Sequence, residues 1–202
     1  GLNTGGMGAY SPAPILNTKL EKKIINKIIK PTLRALKAKN HPYAGFLYAG
    51  LMIKNNEPYL IEYNVRMGDP ECQVIMPRLE TDLLHLLKAS VNNKLNKVKI
   101  KWNKNKCMTT VLCAKGYPNK YITDKKIDLG NVSLTKKSFI FHAGTRIKDS
   151  LLFSSGGRVL NIVVLGNSFL KIRKQIFKII KTINWKYGFF RRDIGWRIIK
   201  KK

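Results

Sequence analysis

The sequence predicts an α+β chain in two pieces joined near residue 100, and three observations carry that reading. A helical stripe and a strand pair fill most of the first hundred residues. A polar, lysine-rich stretch at 92–106 then interrupts the pattern. Beyond it, apolar runs of strand length lead into an amphipathic helix. At 202 residues and 44% hydrophobic composition, the chain is long enough to bury a core and is not of disordered type.

Residues 1–14 are rich in Gly and Pro and read as a loop. The first residue is not Met and the loop opens inside a glycine-rich motif, so a preceding segment is expected. Asn17 or Thr18 caps a helix from about Lys19, with Leu20, Ile24, Ile25, Ile28 and Ile29 as its apolar stripe. Pro31 breaks or restarts this helix, and a second piece runs to about Lys39, before Asn40-His41-Pro42. Residues 46–53 and 59–66 are strands around a turn at 54–58, which makes a hairpin. Residues 77–93 read as a helix with Leu79, Leu83, Leu84, Leu86 and Leu87 on its buried side. After the boundary, 107–114, 139–142 and 158–165 are strands, and 168–182 is an amphipathic helix with Leu170, Ile172, Ile176, Phe177, Ile179 and Ile180. Residues 187–202 form a basic aromatic tail whose closing KKK reads as a true terminus.

The net charge of +28 points first to nucleic acid or an anionic surface. Lysine supplies most of it, however, and the nine arginines favoured for bidentate contacts are a minority. The lysines are spread along the chain, and their abundance with Ile and Asn is what an AT-rich coding sequence produces. A basic nucleic-acid-binding module remains the alternative, because Trp185, Tyr187, Phe189, Phe190 and Trp196 interleave with Arg191, Arg192 and Arg197. The three cysteines, Cys72, Cys107 and Cys113, are odd in number and lack CxxC spacing. Neither a disulfide framework nor a zinc site follows, and a reducing cytoplasm is the simplest compartment. The longest apolar runs, such as 159–165, fall far short of the roughly 20 residues that span a bilayer.

Chemistry concentrates in 59–71. On a strand, Glu62, Asn64 and Arg66 share one face at about 7 Å intervals, while Ile61, Tyr63 and Val65 face a core. A carboxylate and an amide oxygen suit Mg²⁺, which takes few protein ligands and fills its shell with phosphate and water. Arg66 adds a two-pronged grip for a phosphate or carboxylate. A solvated strand face is the plain alternative. Met67-Gly68-Asp69-Pro70-Glu71 follows with two more carboxylates. Gly5, Gly6 and Gly8 let backbone N–H groups approach an anion, or make a flexible turn.

NTGGMGAYSPAP at 3–14, YAGFLYAGLM at 43–52, IEYNVRMGDPE at 61–71, FHAGT at 141–145, GGRVL at 156–160 and RDIG at 192–195 resemble, in order and spacing, the phosphoribosylamine–glycine ligase family of ATP-grasp enzymes. The resemblance covers nearly the whole chain. It implies the C-terminal part of an ATP-grasp catalytic domain at 1–100 and a small mixed α/β C-terminal domain at 101–202. It implies ATP-dependent joining of glycine to 5-phosphoribosylamine through glycyl phosphate, in purine biosynthesis. By this resemblance Glu62 and Asn64 are the Mg²⁺ or Mn²⁺ ligands, and Arg66 stabilises the transferred phosphoryl group. Asp69 and Glu71 orient the amine or a ribose hydroxyl, and the backbone of Thr4, Gly5, Gly6, Met7 and Gly8 grips substrate. His142 is a packing residue or a site residue. The implied partners are ATP, glycine and 5-phosphoribosylamine, without nucleic acid or membrane. The N-terminal half of such an enzyme is expected to be missing, so the isolated chain is expected to be inactive. One feature departs from the wider pattern: many ATP-grasp relatives carry a further acidic ligand on the preceding strand, and that position here is close to Gly50. A purine ligase with another substrate is a third reading, against which FHAGT and GGRVL argue.

Overall fold

The computed structural model describes residues 2–199, so the reading of the basic ending at 200–202 lies outside the described residues. Two compact units form by packing. One contains 2–11, 69–78 and 103–199; the other contains 12–68 and 79–102. The division is therefore discontinuous, because two short segments before residue 100 pack with the part that follows it.

In chain order the elements begin with β1 (Gly8–Ser11), then α1 (Thr18–Ile24), a π-helical stretch (Ile25–Ile29) and α2 (Lys30–Ala38). β2 (Tyr48–Lys54), β3 (Glu57–Asn64), α3 (Cys72–Ile75) and α4 (Leu83–Val91) follow. Next come β4 (Lys106–Ala114), β5 (Lys126–Ile127), β6 (Ser138–His142), β7 (Thr145–Lys148), β8 (Leu151–Ser154) and β9 (Arg158–Gly166). α5 (Phe169–Thr182), β10 (Gly188–Phe189) and α6 (Trp196–Ile199) close the described chain.

The first unit is built on an antiparallel sheet in the order β1-β4-β9-β6, with β10 also paired to β4. β4 and β9 are buried almost throughout because both their faces are covered, and they are mostly apolar apart from Thr109, Thr110 and Asn161 within. Met108, Leu112, Ile162 and Val164 pack with Ile172, Ile176, Ile179 and Ile180 of α5. Cys107, Val163 and Leu165 pack with Val74 of α3. Each buried isoleucine of α5 stabilises the unit by roughly 1.5–3 kcal/mol relative to exposure, so packing outweighs helix propensity here. Residues 8–11, which composition assigns to a loop, form β1 because β4 supplies the partners, from Gly8↔Thr110 to Ser11↔Cys107. A smaller sheet, β5-β8-β7, completes the unit.

In the second unit, the Asn17 carboxamide oxygen accepts the Leu20 N–H at 2.9 Å and caps α1. Pro31 does not break the helix as expected: α1, the π-helical stretch and α2 run on without interruption, and the wider turn just before Pro31 accommodates its missing N–H. α2 stops at Asn40, whose φ of +61° is left-handed. β2 and β3 are joined through Asn55 and Asn56, with φ of 52° and 59°, as a type I′ turn requires.

Two expectations for this unit are corrected. The register passes from Gly50↔Glu62 to Leu51↔Leu60, so Ile61 is an extra residue in a β-bulge. β3 then ends at Asn64, before Val65. The expected core face of Ile61, Tyr63 and Val65 is therefore not formed: Ile61 is 64% and Val65 74% exposed. Only Tyr63 is half-buried, its hydroxyl bonded to that of Thr32. The expected helix at 77–93 is also shorter. Pro77 lies in a 3-10 turn and Leu79 bridges Trp102, so α4 starts only after the Asp82 cap. Leu83, Leu84 and Leu87 on α4 are exposed, not buried, and Ala89 is the buried residue of that helix. Among the described residues, no helix is long and apolar enough to cross a membrane.

Candidate active site

Glu62 and Asn64 are neighbours on one face of β3, and the Asn64 amide donates to Glu62 Oε1 at 3.1 Å. Glu62 is exposed and Asn64 half-buried, so both oxygens are accessible from one side. Gly50 lies directly across the ladder from Glu62. A Cβ there would stand 2.9 Å from Glu62 Cγ, so the missing acidic residue at this position leaves room for the glutamate itself. Arg66 does not extend the row as strand geometry predicts. It lies beyond the end of β3, exposed, and its Nη1 donates to the neighbouring Met67 carbonyl at 2.9 Å. Among the described residues no group of three or more His, Cys, Asp or Glu could hold a metal. The donor set is thus two hard oxygens, which fits a cation whose remaining ligands are phosphate and water.

A second cluster gathers in the other unit. Arg158, the first residue of β9, donates from Nη1 to the Gly6 carbonyl (3.1 Å) and the Asp69 carbonyl (2.7 Å). Its Nη2 donates to Asp69 Oδ2 at 2.8 Å. The other carboxylate oxygen, Oδ1, accepts from Gln73 at 2.9 Å. The Gly5 N–H donates to the Tyr117 hydroxyl at 2.8 Å. Two glycines make these approaches possible by lacking a side chain. A Cβ on Gly6 would lie 2.3 Å from Pro70 Cδ, and one on Gly157 would lie 2.3 Å from the Tyr117 ring.

The structure thus joins the opening glycine loop to the Asp69 loop. Met7 is buried with Val111 and Cys113, and its carbonyl accepts the Val111 N–H at 3.0 Å, while Gly8 already pairs within the sheet. Thr4 is half-buried. Glu71 precedes α3 and its carbonyl accepts from Val74 and Ile75, both at 3.1 Å. His142 stands at the exposed end of β6, 3.0 Å from the Thr145 hydroxyl. With Gly8 and Tyr10, Arg191 and the Asp193-Ile194-Gly195 part of RDIG line a cleft of about 280 Å³, where the Arg191 guanidinium holds the Asp193 carboxyl below the usual carboxylate range. Sequence reasoning assigned no role to Tyr117, Gln73 or Arg158; the one signal was an arginine heading a mostly apolar strand.

Most of the tail aromatics close the core instead of offering a stacking platform. Trp185 is 7% exposed and Phe190 packs on Phe177 with ring centroids 5.3 Å apart. Trp196 alone among them is exposed, beside Arg197.

The family model for the ATP-grasp (A) domain of phosphoribosylglycinamide synthetase matches residues 1–72, and the model for its C domain matches 107–197. This chain belongs to the phosphoribosylglycinamide synthetase family. Curated phosphoribosylamine–glycine ligases of Agrobacterium fabrum and Vibrio vulnificus are 42% and 44% identical to the whole chain, which covers 48% and 47% of them. The chloroplastic ligase of Arabidopsis thaliana is 41% identical, with 39% of it covered. The chain therefore spans about half the length of the curated relatives it matches. The crystal structure of the Thermotoga maritima phosphoribosylamine–glycine ligase superposes with a TM-score of 0.77 at 32% identity, over 96% of this chain and 47% of that one. The biotin carboxylase subunit of pyruvate carboxylase, 14% identical with a TM-score of 0.63, shares the fold. The family's two matched segments flank the polar stretch near residue 100.

Proposed function

We propose that these residues are the C-terminal portion of an ADP-forming carbon–nitrogen ligase of purine biosynthesis. The enzyme joins glycine to 5-phosphoribosylamine, giving glycinamide ribonucleotide, ADP and phosphate. The observation that carries this reading is the Glu62–Asn64 pair, side by side and accessible on a strand inside the ATP-grasp match. We read 1–100 as catalytic-domain sequence and 101–202 as the C-terminal domain, acting in the cytoplasm, where free Cys72, Cys107 and Cys113 persist.

In the first step a glycine carboxylate oxygen attacks the γ-phosphorus of ATP. The bond to the leaving ADP oxygen breaks and glycyl phosphate forms. In the second, the amine nitrogen of 5-phosphoribosylamine attacks the acyl carbon and gives up a proton, and the carbon–oxygen bond to phosphate breaks. Charge gathers on phosphoryl oxygens throughout, so positioning and electrostatics supply most of the catalysis. Glu62 and Asn64 would hold Mg²⁺ or Mn²⁺, which when bound neutralises phosphate charge. Arg66 exchanges its Met67 contact for the transferred phosphoryl group. The backbone of 4–8 grips substrate near the reacting carboxylate, and Asp69 and Glu71 orient the amine or a ribose hydroxyl.

The test is made on the full-length polypeptide that contains these residues. ADP formation should depend on glycine, and glycinamide ribonucleotide should form only when 5-phosphoribosylamine is also present. Glu62→Ala and Asn64→Ala should each lower kcat by about 100-fold or more, with circular dichroism unchanged. Near-normal turnover in either variant removes the metal assignment.

A further inference from the structure

Arg158 has no part in the ligation chemistry described above, yet it makes three hydrogen bonds to two segments that do. Its planar guanidinium reaches the Gly6 carbonyl, the Asp69 carbonyl and the Asp69 carboxylate together, a fork that an ammonium cannot reproduce. The Arg158 side chain is 24% exposed and that of Asp69 46%, so the contacts stand at the surface and their value lies in direction more than in energy. Tyr117 works beside it. Its ring lies on Gly157, the residue before Arg158, and its hydroxyl takes the Gly5 N–H. A Cβ on Gly5 would stand 3.0 Å from both Arg158 Cζ and the Tyr117 hydroxyl, so the two side chains meet the same point of the loop backbone.

We propose that Arg158, assisted by Tyr117, is a positioning residue that keeps the 4–8 backbone and the Asp69 carboxylate in register, so that the amine and not water captures glycyl phosphate. This rests on the ligase reading. Loss of register admits the competing reaction: a water oxygen bonds to the acyl carbon and loses a proton, and the carbon–oxygen bond to phosphate breaks. Glycine and phosphate are released, and ATP is consumed without product. Misplacement by about 1 Å can cost 10²-fold in the productive step, whereas hydrolysis needs no such alignment. The signature is therefore a change in the ratio of product to ADP, which a general loss of stability would not cause.

The experiment measures glycinamide ribonucleotide and ADP formed by full-length wild type, Arg158→Met and Arg158→Lys, together with their melting temperatures. Wild type should form the two in equal amounts. Arg158→Met should keep glycine-dependent ADP formation while product per ADP falls about 10-fold or more. If Arg158→Met does not fold, Arg158→Lys, which keeps the aliphatic stem and the charge, should show the fall instead. A folded variant with the wild-type ratio overturns the role of Arg158, even if both rates drop together. A wild type without glycine-dependent ADP formation overturns the ligase reading, and with it this role.

Discussion

At the scale of the residue, the site is made from side chains whose surroundings do opposite things. Glu62 has room because Gly50 across the ladder has no side chain, while Asn64 stands opposite Tyr48. Cys107 and Cys113 sit on the same central strand but are sealed inside, and burial pushes their thiols up to about 12 and about 11. A thiolate is the reactive form, so neither should react while the protein is folded. With a chromogenic disulfide at pH 8, both should stay unmodified until denaturant is added; fast native-state labelling of either would contradict the packing described. The sign is simple: deprotonation becomes appreciable only as pH rises toward those raised values, well above the ordinary thiol range. Asp69 shows a third case. Both of its carboxylate oxygens already accept hydrogen bonds, from Arg158 and Gln73, which fixes its direction before any substrate arrives.

At the scale of the element, α5 and the two central strands hold the first unit together. Ile176 is fully buried in the largest apolar cluster. Ile176→Ala should cost about 2–5 kcal/mol, read as a shift in the denaturant midpoint, and a loss under about 1 kcal/mol would show that α5 is not packed as described. These elements were legible in sequence because their signals are local: an isoleucine stripe at helical spacing, and apolar runs covered on both faces. The Asn55-Asn56 turn was legible for the same reason, since asparagine tolerates the left-handed backbone. β1 was hidden because its partner strand lies far along the chain and its own residues are turn-forming. The bulge at Ile61 was hidden too, because strict alternation assumes an unbroken ladder; it exposed Ile61 and left Glu62 and Asn64 paired. Arg158 stands within the GGRVL motif, but its reach to Gly6 and Asp69 depends on tertiary approach that no spacing encodes.

At the scale of the whole molecule, 202 residues cover about half of the curated ligases they match. The two compact units also interleave along the chain, so Asp69–Arg78 belongs by packing with residues far downstream. The charge of +28 therefore says less about partners than the placement of a few residues does. The central proposal is that the full-length polypeptide phosphorylates the glycine carboxylate before the amine attacks its carbon. It is tested most directly by supplying glycine labelled with ¹⁸O in its carboxylate and analysing the released phosphate by mass spectrometry. Attack of a carboxylate oxygen on phosphorus, followed by carbon–oxygen cleavage, must carry label into phosphate in step with product formation, and the isolated 202-residue chain should transfer none. Unlabelled phosphate alongside normal product would contradict the account.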